Sequence, residues 1–138
     1  MPRRSMERSS GDVSYALYYM LTISTKQREP FITAQVEAFL RQHWARKCEE
    51  LKIHLLALGM VDDHVHFLLS LRPTHYIPDV VHDLKGSASH AVNHAETLDA
   101  TLYWGGGYDI RTVSERNLSA ARQYVLTQYE RHPDRIPQ

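Results

Sequence analysis

The run His64-Val65-His66-Phe67-Leu68-Leu69-Ser70-Leu71 narrows most what this chain can fold into. An extended strand turns alternate side chains to opposite faces. Val65, Phe67, Leu69 and Leu71 then share an apolar face, and His64 and His66 share the other. A strand of this kind belongs to a sheet packed on one side and open on the other. Two imidazoles side by side on the open face supply two ligands of a metal site. A third must come from elsewhere in the chain, and Gln128, one helical turn after Tyr124, is the best candidate.

The flanking segments order themselves around that strand. Residues 14–24, rich in aromatic and β-favouring types, read as a strand. From Thr33 onward Val36, Phe39, Leu40, Trp44 and Cys48 recur near the 3.6-residue helical period. Residues 51–61 read as a second strand, the Asp62-Asp63 pair as a tight turn, and His64–Leu71 as the third strand, stopped by Pro73. Pro78 suits the first turn of a helix whose apolar side is Val81, Leu84, Ala88 and Val92. Residues 99–107 form a loop ending in three glycines, and 108–113 a fourth strand. Asn117 is a fitting N-cap for a last helix through Tyr129, with Leu118, Ala121, Val125 and Tyr129 inward.

The resulting order is βαββαβ plus one helix. It predicts an α+β, ferredoxin-like sandwich, of the kind also found in RNA-recognition domains, with an additional C-terminal helix carrying Tyr124. The two core helices cover the Val65/Phe67 face, and the added helix is free to cross the histidine face. With no repeat and no linker, residues 13–131 form one domain. Residues 1–12 read as a disordered arm and 132–138 as a loose tail.

Composition sets further bounds. A chain of 138 residues with 43% apolar content can build a real core. No apolar run approaches the roughly 20 residues that span a bilayer, the basic start lacks the apolar stretch of a signal peptide, and Cys48 has no partner for a disulfide. A cytoplasmic location is expected. Sixteen Lys and Arg balance sixteen Asp and Glu, so a polyanion would meet a local basic patch or a bound cation rather than a general positive field.

Positions i and i+4 of a helix are neighbours, so Tyr124 and Gln128 project together. With that helix across the open face, the Gln128 carboxamide oxygen joins His64 and His66 around a divalent cation, and Tyr124 stands beside whatever the cation binds. Two histidines and an amide leave coordination positions open, as catalytic metals require. A phenol next to a metal-bound phosphate suits covalent phosphoryl transfer. His90 and His94, also i and i+4, read as exposed histidines. A histidine-triad hydrolase is excluded because a third alternating position holds Leu68.

Several segments in register resemble one family. Asp63-His-Val-His-Phe-Leu-Leu-Ser-Leu-Arg-Pro73 is similar to the His-hydrophobic-His (HUH) signature of the single-tyrosine transposases of the IS200/IS605 type. Asp79-Val-Val-His-Asp-Leu-Lys-Gly-Ser-Ala-Ser89 resembles their Val-Val-x-x-Leu-Lys-Gly-x-Ser-Ser helix. Tyr103-Trp-Gly-Gly-Gly-Tyr-Asp-Ile-Arg-Thr-Val113 and Tyr124-Val-Leu-Thr-Gln128 match two further motifs, so the likeness runs from about residue 14 to residue 128.

The resemblance implies an enzyme that cuts and rejoins single-stranded DNA with hairpin ends, using Mg²⁺ or Mn²⁺. It implies Tyr124 as nucleophile through a 5′-phosphotyrosine, His64, His66 and Gln128 as metal ligands, and a homodimer. Lys26, Arg28, Lys85 and Ser87 are the candidate DNA-phosphate contacts, and Trp104 a candidate for base stacking or the core. Competing readings are a resident relative that cuts genomic repeat hairpins and a non-catalytic nucleic-acid-binding sheet. A plain metal-binding domain is a further one. Relatives often carry Gly where this chain has Ser114.

Overall fold

The computed structural model describes residues 13–138; the stretch read as a disordered arm lies outside the described residues. Four strands, β1 (Leu17–Ser24), β2 (His54–Met60), β3 (His64–Leu71) and β4 (Asp109–Val113), form one antiparallel sheet in the order β2-β3-β1-β4. Helix α1 (Ala34–Glu50) joins β1 to β2, and α2 (Ile77–His94) joins β3 to β4. This is the expected ferredoxin-like sandwich, extended by α3 (Leu118–Leu126) and a short α4 (Gln128–Arg131).

The helices form where spacing and capping favour them. Thr33 caps α1 by accepting Val36 N at 3.2 Å, and Val36, Leu40, Trp44 and Cys48 are buried along one stripe. In α2 Pro78 occupies the first turn, and Val81, Leu84, Ala88 and Val92 face the core. Both helices cover the face of Leu21, Ile23, Val65, Phe67, Leu69 and Leu71. Each such side chain contributes about 1.5–3 kcal/mol on burial. The Trp44 indole meets the Phe67 ring edge-on at 4.7 Å and donates to Leu84 O at 2.9 Å, tying α1 to α2 across the β3 core.

On the opposite face Ala57, Leu68 and Val125 form a second, smaller core, flanked by Met20, Leu56, Leu118 and Ala121. Helix α3 therefore crosses the histidine face, with its predicted apolar side inward. Its closest approach is at Gly59, the residue paired with His66 across β2 and β3. A Cβ there would stand 1.8 Å from Val125 O, so α3 rests backbone to backbone on the strand beside His66.

Two expectations change. The last helix does not run unbroken to Tyr129: Thr127 leaves helical geometry (φ −108°, ψ 28°). Its hydroxyl donates back to Gln123 O at 2.7 Å, a local bond that competes with helix continuation. Tyr129, expected to face inward, is 41% exposed. The tail expected to be loose is fastened as well. Arg135 O accepts Asp62 N at 2.9 Å, Gln138 O accepts Ala34 N at 3.2 Å, and Pro137 is buried. The turn between β2 and β3 and the start of α1 expose backbone donors that need acceptors, and the tail supplies them. No helix among the described residues is long and apolar enough to cross a membrane.

Candidate active site

His64 and His66 project from β3 to the open face, their rings 5.0 Å apart and nearly perpendicular. Both are 6% exposed. Each has its Nδ1 engaged. Asp63 Oδ1 lies 2.8 Å from His64 Nδ1, and Thr22, paired with His66 across β1 and β3, places Oγ1 2.8 Å from His66 Nδ1. A carboxylate accepts only, so His64 carries its proton on Nδ1 and turns the lone pair of Nε2 outward. Arg28 Nη2, 3.4 Å from the same Nδ1, is then an electrostatic neighbour and not a second bond. Partners of this kind fix ring orientation and tautomer in metal-binding histidines.

Helices α3 and α4 bring the other groups. The Tyr124 ring lies 5.3 Å from His66. Gln128 Nε2 donates to Tyr124 O at 2.7 Å, which fixes the amide so that Oε1 is its free end. Two buried atoms in this site, His66 Nε2 and Gln128 Oε1, have no hydrogen-bond partner among the described residues. With its proton on Nδ1 toward Thr22 Oγ1, the neutral His66 ring meets the amide oxygen acceptor to acceptor; with Thr22 donating to Nδ1 instead, the Nε2–H faces that oxygen. In the first tautomer two buried acceptors stand together, a gap in the hydrogen-bond accounting that a cation would fill. No three His, Cys, Asp or Glu side chains converge at metal distance among the described residues, so a cation here would need the amide as its third ligand. The residues present fit a divalent ion.

Burial, followed by the neighbouring His64 and His132, pushes the His66 imidazole down to about 4. The ring therefore stays neutral, as a metal ligand must be, across ordinary pH. Burial alone would lift the Asp63 carboxyl, but its bonds from His64 and Arg28 outweigh this and hold it below its usual range. Without metal, the stability of the protein is expected to depend on pH through this ring. Above pH 6.5 His66 is neutral folded or unfolded. Between pH 6.5 and about 4 the unfolded chain takes up a proton that the folded chain refuses, so stability falls with falling pH, on the order of 3 kcal/mol in all. Urea titrations in chelator at stepped pH measure it, and a flat profile over that window contradicts it.

The predicted DNA contacts divide. Arg28 sits at the rim, its Nε 3.0 Å from Asp63 Oδ2, in a turn where Gln27 and Arg28 both adopt positive φ (53° and 56°). Such backbone costs of order 1 kcal/mol or more per residue, which the Asp63 ion pair helps to hold. Lys26 is exposed on the same turn. Lys85 and Ser87 are not brought to this site: they belong to α2, on the other side of the sheet. Lys85 Nζ donates to Gly105 O and Gly107 O at 2.9 and 3.0 Å, pinning the glycine loop, and Ser87 pairs with His43 at 2.9 Å. Trp104 donates to Lys85 O at 2.9 Å and packs against the main core. His90 and His94 stack on the α2 surface.

Four residues not evident from the sequence join the site. Asp63 and Thr22 orient the imidazoles, Arg131 lays its guanidinium 4.5 Å above the Tyr124 ring, and His132 stands edge-on to His64 at 5.1 Å. His132 follows Gln128 by four residues, and that spacing was the available signal. Thr22 had none, because strand register is invisible before the sheet is assembled.

Its relatives mark this chain as a DNA-processing protein of the transposase class. The sequence profile of the IS200-like transposases matches residues 13–128, and the chain belongs to that family. It is 29% identical over 131 residues to the ISDra2 transposase TnpA of Deinococcus radiodurans, covering 91% of this chain and 93% of that protein. A crystal structure of a candidate transposase from D. radiodurans R1 superposes with a TM-score of 0.65 at 29% identity, over 87% of this chain and 95% of the other. A REP-associated tyrosine transposase bound to a REP hairpin gives a TM-score of 0.68 over 92% of this chain and 74% of the other. At 12% identity, that likeness speaks for the fold.

Proposed function

We propose that this transposase cleaves and rejoins single-stranded DNA at hairpin-bearing ends through a covalent tyrosine intermediate, with a divalent ion held by His64, His66 and Gln128. The observation that carries the reading is the pair of buried polar atoms without a hydrogen-bond partner, His66 Nε2 and Gln128 Oε1, beside a tyrosine that remains 38% exposed. Bound there, Mg²⁺ or Mn²⁺ supplies charge neutralisation at the phosphate oxygens.

The protein's own groups do the rest. Tyr124 Oη gives its proton to solvent and attacks phosphorus. The bond from phosphorus to the 3′-oxygen breaks, the 3′-oxygen takes a proton, and the 5′ end stays on the tyrosine. A second 3′-hydroxyl reverses the step on a new strand, with the phosphodiester energy conserved and no nucleotide cofactor needed. Arg131, above the phenol, is placed to meet the negative charge of the approaching phosphate. Arg28 and Lys26 at the rim lie where the strand runs on. A folded hairpin, such as the one the REP-bound fold relative holds, is the partner in this reading. A homodimer, each subunit with its own tyrosine helix, is part of the reading.

The test is a metal-dependence assay on single-stranded oligonucleotides carrying the hairpins that flank the gene. Cleavage is expected with Mg²⁺ or Mn²⁺ and not in chelator, and not on the fully duplexed form. Equal cleavage in chelator overturns the metal's role, and binding with no cleavage of an authentic end favours a nucleic-acid-binding sheet.

A further inference from the structure

Glu37 is a buried carboxylate that this chemistry does not use. A buried charge is costly unless paired, and its partners point toward the site. It sits in the first turn of α1, beyond the β2 edge of the sheet, and is 6% exposed. Arg41, one turn later, binds Oε2 through Nε at 3.1 Å and Nη2 at 2.8 Å. Its Nη1 donates to Leu58 O of edge strand β2 at 3.0 Å. The other carboxylate oxygen, Oε1, accepts the hydroxyl of Tyr129, the neighbour of Gln128 in sequence.

Helix α4 needs such an anchor. It is a single turn of four residues, too short to hold its own shape in water, and across the break at Thr127 it is joined to α3 by side chains, Gln128 Nε2 on Tyr124 O among them. A groove lined by Glu37, Arg41, Gly59, Thr127 and Glu130 runs behind it, leaving room for α4 to shift. Along β2, Arg41 roots the carboxylate at Leu58, and α3 rests on the next residue, Gly59.

We infer that Glu37, Arg41 and Tyr129 form a clamp that positions the Gln128 carboxamide oxygen against His66. Glu37 and Tyr129 are thus positioning residues for the ligand set, acting from outside it. The inference rests on the metal-site reading, but the positioning itself exists before any ion binds.

The test uses the full chain and two variants. Tyr129→Phe removes the hydroxyl alone. Val81→Ala truncates the core beneath α2 and serves as a control for general destabilisation. In the metal-free protein, the side-chain amide signals of Gln128 are expected to be dispersed in wild type and in Val81→Ala, and collapsed toward solvent-exposed values in Tyr129→Phe. In calorimetric titration with MnCl₂, Tyr129→Phe is expected to bind about tenfold more weakly, and Val81→Ala like wild type. Dispersed Gln128 signals and unchanged Mn²⁺ affinity in Tyr129→Phe overturn the clamp, and so do equal losses in both variants. Wild type that binds no Mn²⁺ overturns the metal reading beneath it, and the amide signals then show separately whether the clamp holds Gln128.

Discussion

Tyr124→Phe is expected to abolish strand cleavage, by on the order of 10⁴-fold or more, with fold and metal binding retained. The substitution removes one oxygen from a ring whose remaining contacts are with the edge of His66 and the Arg131 guanidinium. Phenylalanine keeps both packing contacts. Gln128 is also undisturbed, because it is held by the backbone carbonyl of residue 124 and not by the side chain. What disappears is the nucleophile, and losses of this kind are among the largest that single substitutions cause. Cleavage rates on a hairpin oligonucleotide, with Mn²⁺ affinity as control, measure it. A variant within tenfold of wild type would mean that water or another of the eight tyrosines does the work.

Gly59→Ala is the second large effect, and it acts without touching any proposed ligand. The added methyl collides with Val125 O at 1.8 Å and with its carbonyl carbon at 2.9 Å. These are backbone atoms, so no flexible side chain can swing aside. Overpacking of this severity costs about 3 kcal/mol or more if the contact is kept, so α3 is expected to lift from β2. The Tyr124 hydroxyl and the Gln128 amide move with it, and a displacement near 1 Å can cost about 100-fold in rate. The main core lies on the other face of the sheet and is spared. Hydrogen exchange is expected to speed up over residues 118–131 while α1 and α2 keep their protection. Wild-type exchange and rate in Gly59→Ala would show that α3 does not dock as described.

What the sequence revealed depended on periodicity. The His64–Leu71 alternation assigned both faces of β3 correctly because one side of the sheet packs its apolar residues on α1 and α2 and the other carries the imidazoles. The stripe from Val36 to Cys48 and the one from Val81 to Val92 marked the covering helices for the same reason. The path of α3 followed from there being one open face left to cover. Non-periodic features stayed hidden. Thr127 breaks the helix through a single side-chain bond, in the middle of a pattern that reads as continuous. The tail at Arg135–Gln138 is held by backbone pairing, which no residue type announces. Lys85 fitted a phosphate contact by motif, yet two glycine carbonyls compete for its ammonium, and only the folded loop brings them there. In the site, the two imidazoles and the Tyr124–Gln128 spacing were legible, whereas Thr22 emerged from strand register and Glu37 from the way α4 wraps the β2 edge.

The identity of the attacking atom can be read from the covalent product. Protein incubated with Mn²⁺ and a hairpin oligonucleotide is quenched in denaturant, digested with protease and nuclease, and mapped by mass spectrometry. The expected product is a nucleotide joined by its 5′-phosphate to the hydroxyl of Tyr124, in a peptide spanning residues 123–131, with a free 3′-hydroxyl on the released strand. Cleaved DNA with a free 5′-phosphate and no modified peptide, or a nucleotide on a different residue, would contradict it.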